Sequence, residues 1–321
     1  MKKENSVIGW LYRLTTSGPI PKMVLSNYTR EKLLQYHYGL SHNGRQINLK
    51  NPKTFTEKIA WYKLFYDNKN FENYLCKIKF KDFVKEKLGE GHTAKLYGAW
   101  MSVEDIDWDK LPNSFVLKSN CSSFGRNIIF VEDKNSLDIE KTKKEMMRWL
   151  DYRVEGVNGY SRGYYYVTPQ IYAEELIGEI KEQPIDYKFF CFDGVPTYAY
   201  SAFEHFDNGV AQSSKIAIYD IDWNVLPVIY KKSQCVPVEK PKHYDEMIEA
   251  AKILSKDLPF VRVDFYDLEN TFYVGELTFY SGGLDCCFTP ESFNCEMGKH
   301  FVLPKKSKTH RIFNTKLQRT I

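Results

Sequence analysis

Apolar and polar residues alternate most cleanly in Phe260-Val-Arg-Val-Asp-Phe-Tyr266 and again in Phe272-Tyr-Val-Gly-Glu-Leu-Thr-Phe-Tyr280, with the polar stretch Asp267-Leu-Glu-Asn-Thr271 between them. A period of two marks a strand, and two such runs around a short polar break mark a hairpin. Side chains alternate across a strand, so Arg262, Asp264 and Tyr266 share one face, and Glu276, Thr278 and Tyr280 share one face of the return strand. A five-residue turn, Asp267 to Thr271, would pair Tyr266 with Phe272, Asp264 with Val274 and Arg262 with Glu276. Asp264 and Glu276 then become diagonal neighbours about 7–8 Å apart.

The rest of the chain reads as mixed helix and strand. Residues 1–50 suggest short helices and loops. Asn51-Pro52-Lys53 breaks the chain, and Thr54-Phe-Thr-Glu57 is a capping box that opens a helix to about Tyr66, with Ile59, Tyr62 and Phe65 on one stripe. A second helix is expected from Phe71 to Leu88, stopped by Gly89 and carrying Lys77, Lys81 and Lys85 at every fourth position. Strands follow at Ser114–Lys118 and Ile128–Val131, then a helix over Leu137–Leu150 and a Tyr- and Gly-rich loop over 151–168. Further strands are expected at Ile171–Ile177, Asp186–Phe192, around Tyr198, at Ala217–Tyr219 and at Val225–Tyr230, and a helix at Asp245–Ser255. There is no internal repeat and no low-complexity segment.

Composition narrows the class. An apolar fraction of 43% and a charged fraction of 27% over 321 residues describe a soluble globular chain with two or three lobes. A net charge of +4 gives no ground for nucleic-acid binding, so none is expected. Past Pro304 the tail holds Lys305, Lys306, Lys308, Arg311, Lys316 and Arg319 without an acid. It reads as a solvated, partly disordered end, or as a contact for an anionic membrane surface. Seven cysteines with no Cys-x-x-Cys pair, no membrane-length apolar run and no signal-peptide pattern point to a reduced cytoplasmic chain without structural zinc.

Each chemical signal has a plainer counterpart. Two carboxylates and a guanidinium on paired strands can hold a divalent cation and its phosphate; a cross-strand Arg262–Glu276 ion pair, with Asp264 a bystander, accounts for the same residues equally well. Lys118 runs into Ser119-Asn-Cys-Ser-Ser-Phe-Gly125, whose N–H groups can form an anion nest, or simply a hairpin turn. Glu174-Glu175 ends an apolar strand, so one carboxylate points inward and needs donors, such as an adenine amino group and ribose hydroxyls, unless the chain surfaces there. Lys188, between Tyr187 and Phe189, needs an anionic partner if it faces inward and water if its strand is an edge. The lysine stripe of the second helix reads as a solvated face, the alternative being one lysine aimed at a phosphate. Asp105/Asp107, Asp107/Asp109 and Asp220/Asp222 form Asp-x-Asp pairs of the kind that hold metal-bound nucleotide sugars, but they lie in polar turn stretches. There is no Walker motif, no Gly-x-Gly-x-x-Gly fingerprint, no Ser/His/Asp set and no histidine ligand spacing.

In order along the chain, these signals are a strand lysine with a small-residue loop, an acidic strand end, a lysine strand, then Arg-Val-Asp-Phe and a later Glu on the paired strand. That order resembles the ATP-grasp superfamily and, more closely, its TupA-like branch, related to proteins of teichuronopeptide and capsular polysaccharide biosynthesis. The matching phrases are Asn51-Pro-Lys-Thr-Phe-Thr-Glu-Lys58, Leu111-Pro-Asn-Ser-Phe-Val-Leu-Lys-Ser-Asn120, Asp186-Tyr-Lys-Phe-Phe-Cys-Phe-Asp-Gly194, Pro259-Phe-Val-Arg-Val-Asp-Phe-Tyr266 and Gly275-Glu-Leu-Thr-Phe-Tyr280.

The resemblance implies an α+β ATP-grasp fold in which two α+β lobes with antiparallel sheets clamp ATP. Residues 96–178 would form the nucleotide-binding lobe and 179–303 a C-terminal lobe with the metal site, between a mainly helical region 1–95 and a basic tail 304–321. Lys118 would contact ATP phosphates under the loop holding Ser122, Ser123 and Gly125, and Lys77 matches the lysine of the family's Asp-Lys phrase, with Cys76 in place of the acid. Glu174, Glu175 and the backbone near Ile177 would hold adenine and ribose. Lys188 would line the nucleotide pocket and form the catalytic pair with Arg262, which would stabilise the transferring phosphoryl group. Asp264 and Glu276 would bind Mg2+. Thr278 is the remaining metal-ligand candidate, where many members have Asn, and Ser281 stands where proline is expected.

The implied activity is an ATP-dependent carboxylate–amine ligase. It would act through an acylphosphate on small-molecule or glycan carboxylates and amines in bacterial cell-surface polysaccharide biosynthesis. It would be cytoplasmic, with peripheral contact to membrane-bound polysaccharide machinery. The alternatives are a glycosyltransferase of capsule or exopolysaccharide assembly, a sugar kinase, or an ATP-binding protein with altered catalysis.

Overall fold

In the computed structural model of the chain, the described residues are 7–16, 27–42, 44–122, 127–150, 162–178, 184–207, 210–231, 233–284 and 287–307. Two antiparallel sheets dominate. Strands β1 (Leu96–Trp100), β2 (Phe115–Ser119), β3 (Ile128–Val131) and β4 (Ile171–Glu174) form the first, in the order β1-β4-β2-β3. Strands β5 (Asp186–Phe192), β6 (Val195–Asp207), β7 (Val210–Asp220), β9 (Phe260–Asp267) and β10 (Phe272–Thr278) form the second, in the order β10-β9-β5-β6-β7. A two-stranded ribbon joins β8 (Ile229–Tyr230) to β11 (Phe288–Thr289). The α+β architecture is the one expected.

Each sheet shows one face to a helix and the other to the opposite sheet. In the first, Phe115, Leu117, Ile171 and Ala173 are buried with Met146 and Trp149 of the helix Ile139–Leu150. Strand alternation therefore turns Val116, Lys118, Tyr172 and Glu174 to the other side. In the second sheet, Phe189 meets Tyr244 on the helix Tyr244–Ser255 and stands edge-on to Phe265. The alternate residues Lys188, Arg262 and Asp264 face the other way.

The N-terminal helices are α1 (Val7–Thr16), α2 (Asn27–Ser41), α3 (Phe55–Phe65), α4 (Phe71–Leu75) and α5 (Lys79–Leu88); α6, α7 and α8 are Ile139–Leu150, Tyr244–Ser255 and Glu291–His300. The capping box holds as read: the Thr54 hydroxyl accepts from the Glu57 N–H at 3.2 Å, and the Glu57 carboxylate accepts from the Thr54 N–H at 3.0 Å. Such a cap contributes about 1 kcal/mol. Fully buried Phe55 then sits among Phe190, Phe192, Phe260, Phe288 and Phe301, so α3 covers the lower part of the second sheet's polar-side face. Lys58 ties α3 to the end of α8 by donating to the carbonyls of Gly298 and Phe301, each at 2.7 Å. Gly298 is required there, because a Cβ would lie 2.1 Å from the Lys53 carbonyl oxygen.

Several elements differ from the sequence expectation, among them the strand expected over Val225–Tyr230, which is confined to Ile229–Tyr230. The helix expected over Phe71–Leu88 breaks at Cys76-Lys77-Ile78 into α4 and α5. The strand expected over Ile171–Ile177 stops at Glu174, where Glu175 turns its backbone N–H to Lys95 O at 2.9 Å. Strands β6 and β7 extend well beyond their predicted cores and pair with each other along most of their length. The loop segment 151–161 and the tail from 308 lie outside the described residues; before that point Lys306 stands 3.9 Å over the Phe65 ring and Ser307 is hydrogen-bonded to Phe65 O.

Candidate functional site

The β9–β10 hairpin closes through a shorter turn than expected. Asp267 pairs with Phe272, Tyr266 with Tyr273 and Phe265 with Val274; the register then shifts at Gly275, so that Glu276 lies directly opposite Asp264 and Thr278 opposite Arg262. Without that bulge Glu276 would face Val263 and point away from Asp264. The expected diagonal relation is thus replaced by direct opposition, at about 4.5–5.5 Å between Cβ atoms. Glycine fits the bulge without crowding it, since a Cβ at Gly275 would lie 3.1 Å from the Tyr266 ring, tight enough to push that ring by a few tenths of an ångström.

Across β9 and β5 the register places Asp264 opposite Lys188 and Tyr266 opposite Asp186. Asp264 is 1% exposed. It accepts from Arg262 through both oxygens, at 2.6 and 2.5 Å, and from Lys188 at 2.8 Å. Lys188 also donates to Asp186 at 2.5 Å. Burial pulls the Lys188 ammonium down, but Asp186 and Asp264 outweigh it and hold the group well above its ordinary value. Arg262 reaches Thr278 Oγ1 at 3.0 Å and Ser281 Oγ at 3.2 Å. Two of the three positions where the chain departs from the family pattern, Thr278 and Ser281, therefore touch the same guanidinium. The Thr278 hydroxyl donates to Glu276 at 2.9 Å.

Glu276 has the most open carboxylate of the hairpin pair. Lys77, at the break between α4 and α5, stands 3.4 Å from it, as does Arg262. Burial pushes Glu276 up; Lys77, Arg262 and Lys188 together hold it well below the usual carboxylate range. The full cluster has three acids (Asp186, Asp264, Glu276) and three cations (Lys77, Lys188, Arg262).

The second cluster lies on the first sheet. Register places Lys118 opposite Tyr172 and Glu174 opposite Val116, so Lys118 and Glu174 are diagonal neighbours on one face. Lys118 donates to one Glu174 oxygen and Lys81 of α5 pairs with the other, both at 2.6 Å. Burial raises Glu174, but the two lysines win and hold it down at about 2. Tyr172 is buried between the clusters: its hydroxyl is raised well above its ordinary value by burial first, then by the charges of Glu174 and Glu276.

The remaining candidates fall around this pair of clusters. Glu175 turns to the other side of the strand end, where it accepts from Lys95 N–H at 3.1 Å and Tyr273 OH at 3.3 Å. Ile177 is half-buried just beyond it. Buried Ser122 donates to Ser119 O at 3.0 Å, while Ser123 and Gly125 lie outside the described residues. Of the Asp-x-Asp acids, Asp107 pairs with Lys110 at 2.8 Å, and Asp220 accepts from the backbone of Asp222 and Asn224.

Two residues at the site stand outside the sequence expectation. Lys81 belongs to the stripe expected to be solvated; Lys85 is solvated, but Lys77, at the break, pairs with Glu276 and Lys81, on α5, with Glu174. Asp186 lies two positions before Lys188 on one strand, a spacing that puts both on one face.

The donor set suits Mg2+, which takes hard oxygens, commonly one or two carboxylates together with substrate phosphates and water. Asp264 and Glu276 would supply the carboxylates. The group of three or more His, Cys, Asp or Glu that an all-protein cage requires is absent among the described residues. The Thr278 hydroxyl, the remaining ligand candidate, is engaged by Arg262 and Glu276.

No curated protein matches the chain. Among solved structures, the ATP-grasp ligase PsnB complexed with minimal precursor is similar at 10% identity, over 73% of this chain and 63% of that one, with a TM-score of 0.37. The D-alanine–D-alanine ligase from Bacillus anthracis is similar at 15% identity, over 75% and 70%, with a TM-score of 0.41. D-alanyl-alanine synthetase A from Vibrio cholerae gives 11%, 73% and 62%, with a TM-score of 0.42. The TupA-like ATPgrasp family matches residues 57–302, which hold every element of both clusters. The chain belongs to the TupA-like ATP-grasp family.

Proposed function

We propose that the protein is an ATP-dependent carboxylate–amine ligase of bacterial cell-surface polysaccharide assembly. The observation that supports this most is the pairing of two charge clusters around Tyr172, Lys118–Glu174–Lys81 on one sheet and Asp264–Glu276 with their cations on the other. The first has two cations for one carboxylate and suits a polyphosphate. The second puts two carboxylates in direct opposition, where Mg2+ fits, beside Arg262 and Lys188.

In this reading Lys118 and Lys81 take the ATP phosphates while keeping their pairing with Glu174. Mg2+, when bound, offsets charge on the phosphoryl oxygens. Arg262 and Lys188 offset charge on the transferring phosphoryl group, and the substrate carboxylate oxygen attacks the terminal phosphorus in line as ADP leaves. The amine's lone pair then attacks the acyl carbon of the acylphosphate, the carbon–oxygen bond to phosphate breaks, and phosphate leaves with that electron pair. The ammonium gives up two protons overall, one retained by the departing hydrogen phosphate.

The glycan setting rests on the likeness to the teichuronopeptide branch, and peripheral contact with the membrane machinery on the basic tail. No described helix is long and apolar enough to cross a membrane. The test is phosphate release from MgATP with pooled uronic acids and amino acids. The reading predicts release that requires both a carboxylate and an amine. Stabilisation by nucleotide sugars but not by MgATP, with no release in any pool, overturns it.

A further inference from the structure

The described cysteines divide by burial. Cys76, Cys121 and Cys191 are buried, and Cys235, Cys287 and Cys295 are exposed. Burial pushes the Cys191 thiol up to about 12, which keeps it protonated and unreactive. Cys287 is set apart by what meets its sulfur: His42 Nε2 lies 3.6 Å from Sγ. His42 follows the end of α2 and Cys287 directly precedes β11, so the fold joins two residues 245 positions apart.

A third group orients the imidazole. His42 Nδ1 donates to the Tyr38 carbonyl at 3.1 Å, and the same oxygen accepts the His42 backbone N–H at 3.0 Å. A carbonyl oxygen only accepts, so the proton of the neutral ring sits on Nδ1 and Nε2 presents its lone pair. The imidazole also stacks on the Tyr38 ring, with centroids 3.9 Å apart and planes 10° from parallel, which fixes its tilt. Nε2 therefore faces the thiol as a base. A nucleophile within reach of a base that a third group holds in place is the arrangement of an activated side chain. The backbone of Cys287 is anchored as well, its carbonyl accepting from the Lys231 N–H at 2.9 Å. The Tyr38 hydroxyl is raised by burial first and then by the charges of Glu291 and Cys287, so the phenol lies near the same sulfur.

We propose that Cys287 and His42 form a reactive thiol site that exchanges with low-molecular-weight disulfides, so that the chain is reversibly S-thiolated at Cys287. His42 Nε2 takes the thiol proton, and the thiolate sulfur attacks one sulfur of the disulfide; the new sulfur–sulfur bond forms as the old one breaks. The departing thiolate leaves with the electron pair and receives the proton from His42. The incoming disulfide is the oxidant, so no other co-reactant is needed. Neither residue belongs to either charge cluster, and the site holds whether or not the ligase reading does.

The test treats the full chain at neutral pH with oxidised glutathione and, separately, with iodoacetamide, and maps the labelled peptides over time. An imidazole partner raises the thiolate fraction about tenfold, and the weaker nucleophilicity of the stabilised thiolate offsets part of that. Cys287 should therefore react about threefold or more faster than Cys235 and Cys295 with both reagents, and dithiothreitol should remove the glutathione. His42→Phe keeps a ring against Tyr38 without a base, and His42→Gln removes the ring; both should bring Cys287 down to the rate of the other two exposed cysteines. Continued protection of Cys76, Cys121 and Cys191 reports that each variant is folded. Equal rates at the three exposed cysteines of the wild-type protein overturn the proposal without any variant. Labelling of the neighbouring Cys286 in place of Cys287, rapid alkylation with no glutathione adduct, or a Cys287 rate that both His42 variants leave intact also overturns it.

Discussion

The two clusters flanking Tyr172 are built from similar residues and differ in balance. On the first sheet one buried carboxylate, Glu174, is shared by Lys118 and Lys81, leaving a surplus positive charge. On the second, Asp186, Asp264 and Glu276 match Lys77, Lys188 and Arg262 in number. A surplus of cations receives an anion without giving up its own partner. A balanced set has to exchange partners: on the proposed function, Arg262 and Lys188 would turn from Asp264 to phosphate as a metal takes their place. On the proposed function, the first cluster is thus suited to hold nucleotide in the resting state, and the second to respond once metal and phosphate arrive together.

The sharpest way to break this contrast is at the second cluster. Glu276→Ala is expected to lower Mg2+-dependent ADP formation about a thousandfold, because a metal contact contributes several kcal/mol to the transition state. Steady-state assay, with circular dichroism to confirm the fold, checks it; turnover at the wild-type level would remove Glu276 from the metal site. At the first cluster, Lys118→Ala should weaken ATP binding about 10–100-fold by removing one charge-assisted contact, with a smaller effect on turnover at saturating ATP. Equilibrium dialysis with labelled ATP measures the change, and an unaltered affinity would show that the surplus charge serves only Glu174.

Glu174 carries a stability prediction of its own. Its folded-state value lies at about 2 against an ordinary 4.5, so its contribution is present above 4.5 and fades as pH falls towards 2. The shift corresponds to on the order of 3 kcal/mol. Glu174→Gln should therefore unfold at lower denaturant at pH 7 and show a flatter loss of stability on acidification below 4.5. Parallel acid profiles for the two proteins would argue against the buried pairing. The smallest effect is expected at the bulge: Gly275→Ala presses a methyl group on the Tyr266 ring and should cost about 1 kcal/mol, read as a modest fall in Tm.

Much of the fold was legible because its signals are local. Alternation marked β5, β9 and β10, the capping box marked α3, and small residues marked the turns. The order of charged residues carried the likeness to the ATP-grasp family. What could not be read depends on contacts between distant segments. The stripe Lys77, Lys81, Lys85 has the spacing of a solvated helix face, and only the approach of β10 and β4 gives Lys77 and Lys81 their carboxylate partners. Asp186 looked like the polar start of a strand, since nothing local reveals that one of its oxygens stays unpaired. The register of the hairpin differs from the expectation because Gly275 reads equally as a weak strand residue and as a bulge.

The central claim is that metal and nucleotide lie between the two sheets. It is tested most directly by anomalous diffraction from crystals grown with Mn2+ and a non-hydrolysable ATP analogue. The account predicts one manganese peak between the carboxylates of Asp264 and Glu276, with the phosphate chain directed at Lys118 and Lys81. A nucleotide elsewhere on the surface, with Asp264 still clasped by Arg262 and no metal beside Glu276, would contradict it.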